Sequence, residues 1–182
     1  MWNIRSLLAG NNTIGGSGEN MSFDLITAIR QNHALEHATI AIIVKRLGMN
    51  VRLAGRATST GFYLYGDIPT EAVTEAVEEG LNRLRKGEAE LAISPFCGTN
   101  LAVTGILTGI SAFITLRRKN RSRKLSDVIT VTTIAALVAQ PIGKLVQKYL
   151  TTSANLNETQ IARIVRTGKG GRTIHRVETT WE

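Results

Sequence analysis

Apolar and polar positions change period several times along this chain, and each change marks an element. From Phe23 to Leu47 the spacing is helical; Ser22 precedes the run as an N-cap, Asp24 suits the positive helix end, and Gly48 stops it. Val51 to Ala57 and Gly61 to Ile68 are rich in β-branched and aromatic residues, with Thr58, Ser59, Thr60 and Gly61 as turn material, which predicts a strand pair. Thr70 after Pro69 is placed to cap a second helix, in which Ala72, Val73, Ala76, Val77, Leu81 and Leu84 form one apolar stripe. Its acidic first turns and basic last turn match the helix dipole. With a short strand after the second helix, residues 21–93 read as helix, strand, strand, helix, strand.

The pattern then becomes apolar all round. No charge occurs from Leu91 to Leu116, and Leu125 to Leu150 holds Asp127, Lys144 and Lys148 only near its ends. About 20 apolar residues cross a bilayer core, so both stretches are long enough, with the lysines snorkelling. Residues 94–150 therefore read as a transmembrane helical hairpin, with Gly105, Gly109 and Ser111 available for close packing between the helices. The alternative is a pair of buried helices in a soluble domain. Beyond Thr151, QIARIVRTGKGGRTIHRVETT alternates on both sides of a Gly-rich turn, predicting a C-terminal β-hairpin in residues 151–182 that packs on the first domain. Residues 1–20 read as a flexible lead-in without a secretory signal. The predicted class is α+β: a small mixed domain, a transmembrane hairpin and a β-hairpin tail.

Composition sharpens this picture. The 182 residues fit one domain or two small ones and exclude a large multidomain enzyme. A net charge of +8 invites a nucleic-acid reading, but residues 91 to 150 carry eight Lys and Arg against one acidic residue, six of them in the loop RRKNRSRK at 117–124. That loop lacks interleaved aromatics and lies between two apolar spans, so it reads as a topology determinant or an anionic-lipid contact, and nucleic acid is not an expected partner. The expected partner is the bilayer, with other membrane proteins or a second copy of the chain as further candidates. The expected location is an inner, plasma or thylakoid-type membrane, with the soluble parts on the cytoplasmic side. One cysteine, Cys97, excludes an internal disulfide and a cysteine-only zinc finger but can contribute one ligand to a mixed site. GGSGEN and TGKGGR lack the context of phosphate-binding loops and read as turns.

The candidate chemistry lies in the first helix. His33 and His37 are four residues apart and project from one helix face, with Glu36 beside them. Two imidazoles at this spacing can share a metal ion, and a neighbouring carboxylate can take a proton from water there. His33-Ala-Leu-Glu36-His37 reads as H-x-x-E-H, the inverted zinc signature. The alternative is a helix whose histidines are packed or hydrogen-bonded for stability.

The order of an H-x-x-E-H helix, a strand pair and a helix opening with acidic residues resembles the start of the pitrilysin and insulin-degrading class of zinc peptidases. The phrase GRATSTGFYLYGDIPTEAVTEAVEEGLNRL looks like that class's passage after its motif. The resemblance implies zinc ligands at His33 and His37 and a general base at Glu36. That class takes its third ligand from a glutamate well downstream, whereas no acidic residue lies here between Glu90 and Asp127. His175 on the tail hairpin is the first candidate for the third ligand and Cys97 the second. Glu75, Glu78 and Glu79 fit a solvated helix face better.

NHALEHATI, CGTNLAVTG, AQPIGKLVQKYLTT and a histidine near the C-terminus also resemble a family of small cyanobacterial-type membrane proteins of unknown function. That resemblance implies a membrane hairpin and one unit formed by His33, Glu36, His37, Cys97 and His175. The sequence thus points to a membrane-anchored zinc protein with possible hydrolytic or peptidase chemistry through Glu36. The alternatives are a non-enzymatic assembly or scaffold factor, or ligation of haem or chlorophyll by the histidines.

Overall fold

The computed structural model describes residues 17–117, 124–169 and 172–181. Helix α1 (Ser17–Leu47) is followed by strands β1 (Ala54–Thr58) and β2 (Gly61–Tyr65), helix α2 (Thr70–Arg85), helices α3 (Gly98–Arg117) and α4 (Lys124–Val146), and strands β3 (Thr159–Lys169) and β4 (Arg172–Trp181). The fold is α+β. Helix α1 begins earlier than the cap signal suggested, because no proline or glycine interrupts the chain after Gly18; Ser22 lies inside the helix, as do residues 17–20 of the expected lead-in. The rest of that lead-in, most of the basic loop and the tip of the tail hairpin lie outside the described residues. Gly48 ends α1 as expected, at φ 90°.

The four strands form one antiparallel sheet in the order β1-β2-β4-β3. The tail therefore completes the sheet of the first domain. Its β4 lies beside β2, with Phe62 opposite Val177 and Leu64 opposite His175. Gly61 permits that junction: it has φ 136°, and a Cβ there would stand 1.9 Å from the Val177 carbonyl oxygen. Helices α1 and α2 cross closely at Gly80, where an added Cβ would meet Ala38 at 3.2 Å. Leu35, Ala38 and Ile43 of α1, Val73, Val77 and Leu84 of α2, and Phe62, Leu64 and Val177 of the sheet form the buried core. The stripe read from α2 is this inward face.

Two local expectations change. The short strand expected after α2 does not form; a 3-10 turn (Ala89–Ala92) packs against α1 instead of beside a sheet edge, so it has no strand to pair with. Thr70 makes no side-chain cap on α2; its hydroxyl lies 3.1 Å from His175 Nε2.

Helices α3 and α4 pack on each other as a hairpin, and α4 runs through Pro141 into a π-helical turn (Gln147–Thr151). Both apolar helices are long enough to cross a membrane. Their outer faces expose Leu101, Ile106, Phe113, Ile129, Ile134 and Leu137, unlike buried helices of a soluble core. Gly105 and Gly109 do not make the close approach: a Cβ at either meets nothing within 4 Å. The close approach is instead at Gly143 of α4. At Gly143 an added Cβ would stand 1.7 Å from Asn100 Oδ1, and Asn100 donates to Pro95 O and Gln140 Oε1 at 3.0 Å each. Thr104, Thr108 and Thr115 return their hydroxyls to carbonyls four residues back, so these polar side chains are satisfied within an apolar helix.

Candidate metal centre

Four consecutive residues of α1 tie it to the rest of the molecule. Arg30 donates to the Tyr149 and Thr152 carbonyls at the end of α4, and Gln31 donates to Asn155 O at 2.7 Å and accepts from Trp181 Nε1 at 2.6 Å. Asn32, fully buried, donates to Thr58 O and accepts from Thr179 Oγ1. The fourth is His33. These polar partners fix the rotation of α1 and hence the direction of its motif.

His33 Nδ1 lies 2.9 Å from Thr151 O, and His37 Nδ1 lies 2.7 Å from Ala92 O. A carbonyl only accepts, so each Nδ1 carries a proton and Nε2 is the ring atom that can reach a metal. Such a backbone partner is the usual orienting device of a metal-ligating histidine. His33 Nε2 is 3.3 Å from Cys97 Sγ, and the rings of His33 and His37 meet edge to face at 4.4 Å. Cys97 stands immediately before α3, where its sulfur also accepts from Thr99 N at 3.4 Å. One donor atom each from His33, His37 and Cys97 lies within 4.8 Å of the others. Zinc at about 2.0 Å from nitrogen and about 2.3 Å from sulfur, with tetrahedral angles, sets such donors about 3.5 Å apart. The trio would draw in by up to about 1.3 Å to meet that geometry.

Glu36 faces the same cavity from beneath β1. It is 5% exposed, and a Cβ on Gly55 would stand 2.0 Å from its Oε1, so glycine makes room for the carboxyl group. Burial raises its pKa, while His37, His33 and the Ala57 backbone N–H pull the other way. Burial raises the Cys97 thiol, but hydrogen bonds from His33, His37 and Thr99 outweigh it and bring the pKa to about 5. Burial lowers His33, but the bonds to Cys97 and to the Thr151 carbonyl leave it above 6.5. His33 and Cys97 thus form a charge-coupled imidazole and thiol pair beside a buried carboxyl group. A cavity of about 950 Å³ opens over it, walled by Ile40, Val44, Val51, Leu53 and Phe96.

The structure brings together His33, His37, Cys97 and Glu36 among the residues singled out in the sequence. His175 stands apart from the trio: it is fully buried in β4, opposite Leu64 and Arg166, with Nε2 on Thr70. Glu75 and Glu79 pair with Arg46 on the surface. The sequence reading missed the Ala92 and Thr151 carbonyls, which carry no side-chain signature. It also missed Gly55, whose only signal is a glycine within a strand.

A curated protein of Picosynechococcus sp., itself described as uncharacterized, is 34% identical to this chain over 166 residues, covering 85% of this chain and 80% of its own. No solved structure matches. The pattern of one family covers residues 28–164, spanning His33, Glu36, His37, Cys97 and both apolar helices, but not His175. The chain belongs to this family, described as a domain of unknown function (DUF6391).

Proposed function

We propose that this protein is a membrane-anchored zinc protein with hydrolytic activity, its metal held by His33, His37 and Cys97 and its general base Glu36. The observation that carries the reading is the donor trio: three atoms within 4.8 Å, both imidazoles oriented through Nδ1, beside a buried carboxyl group in one cavity. Three protein ligands and an open fourth position are the pattern of a catalytic zinc site. Zinc there supplies a Lewis acid that polarises a carbonyl group and acidifies water. Glu36 takes the proton of the attacking water and returns it to the leaving group. The carbonyls of Ala92 and Thr151 hold the rings, and the apolar walls exclude bulk water. The inverted motif supports the same roles by its likeness to zinc peptidases. The hairpin of α3 and α4 anchors the centre in a bilayer, with its soluble parts on the cytoplasmic side.

A second reading has its own support. The trio joins α1 to the segment leading into α3, so a metal there can act as a structural staple in an assembly or scaffold factor, with other membrane proteins or a second copy as partner. Metal analysis of the purified chain and its variants tests both. Stoichiometric zinc is expected in the wild type and in Glu36→Gln, and its loss in His33→Ala, His37→Ala and Cys97→Ala. Full hydrolysis by Glu36→Gln removes the enzyme reading, and metal-free wild type purified without chelator removes both.

A further inference from the structure

The stripe of α1 that carries His33, Glu36 and His37 is apolar on both sides of them. Leu25, Ile26 and Ile29 precede the motif, Ile40 and Val44 follow it, and Met49 and Val51 continue the wall beyond the helix end. At the helical rise, the part of this face that lines the cavity, Ile29 to Val44, runs about 22 Å. It is open: Ile29 is 41%, Met49 76% and Phe96 86% exposed. Ile29 adjoins Arg30, which is bonded to carbonyls at the foot of α4, and Phe96 stands two residues before α3. The track therefore passes the feet of the hairpin, where the membrane reading puts the edge of the hydrocarbon. An apolar strip of this length is unfavourable against water and continuous with the bilayer against lipid.

We propose that this track is an acyl-chain site, its ligand the single hydrocarbon chain of a membrane amphiphile drawn from the adjacent leaflet past Phe96 and Ile29. The chain lies along Ile40, Val44 and Met49, and its carbonyl-bearing end rests at Glu36 and the trio. This names the substrate class of the hydrolase reading; it rests on that reading for the reaction and on the membrane hairpin for access, while the binding itself stands on the cavity.

The full chain in phosphatidylcholine nanodiscs, irradiated with diazirine-bearing palmitate and mapped by mass spectrometry, tests it. Adducts are expected at residues 40–51, saturable and competed by unlabelled palmitate. Val44→Trp, which fills the groove, and Met49→Glu, an exposed rim change that spares the fold, each lower them at least ten-fold. Adducts on α3 and α4 persist in both variants and report that the hairpin remains in the bilayer. The His33→Ala/His37→Ala variant is expected to keep the track adducts while losing metal, so failure of the metal reading and failure of the acyl-chain reading are separately visible. The proposal is overturned by adducts confined to α3 and α4, by adducts that excess palmitate does not compete, by track labelling indifferent to both variants, or by competition from an extended apolar peptide and not from palmitate.

Discussion

At the scale of single residues, the two histidine environments predict opposite behaviour. His175 is fully buried; burial first, and Arg166 opposite it on β3 second, lower its pKa from 6.5, with Glu71 on α2 offsetting part. The folded protein therefore keeps His175 neutral where the unfolded chain protonates it, so its contribution is intact above 6.5 and lost as pH falls below that value. His175→Gln should flatten the fall in thermal midpoint between about pH 7.5 and about pH 5.5, while leaving metal content unchanged. Gly55→Ala tests Glu36 from the other side. The new Cβ collides with the carboxyl group, so metal should remain, hydrolysis should fall, and stability should drop by about 1–3 kcal/mol in denaturant titrations. The sequence showed which helix face holds the motif because i, i+4 spacing is local. It did not show that Cys97 rather than His175 lies beside it, because that depends on how the chain returns between α2 and α3.

At the scale of elements, periodicity identified α1, α2, the two apolar helices and both strand pairs. It failed where a tertiary partner replaced the local one. Thr70 faces His175 instead of capping α2, and Ala89–Ala92 turns under α1 instead of extending the sheet. The helix hairpin shows the same limit, since small residues mark close packing only on the face that meets a neighbour. Gly143→Ala should displace Asn100 from its bonds to Pro95 and Gln140 and destabilise the hairpin by about 1–3 kcal/mol. Gly105→Ala and Gly109→Ala, with open space at each Cβ, should be neutral or slightly stabilising through helix propensity. Unfolding of the three variants in one detergent, followed by circular dichroism, gives the comparison.

At the scale of the whole molecule, the chain leaves the first domain, makes the hairpin and returns to finish the sheet it left. A chain ending before Thr159 lacks the partner of β2 and exposes Phe62 and Leu64, so it should be rapidly degraded in limited proteolysis, while Phe62→Ala in the full chain should cost about 3–5 kcal/mol. Alternation in the tail announced two strands, but not which sheet edge receives them, because register across more than 100 residues has no local signature. The two carbonyls that hold His33 and His37 lie at the two ends of the hairpin, Thr151 just after α4 and Ala92 shortly before α3. Each imidazole is thus tethered to a different leg of the helix hairpin, so that splaying or tilting the legs would rotate the two rings relative to one another. On the proposed zinc and membrane readings, the centre is a strain gauge for the bilayer: in nanodiscs of increasing lipid chain length, the rate of zinc loss to a chelator should change with hydrophobic thickness, and no such change is expected for the metal-binding rate of free His and Cys peptides.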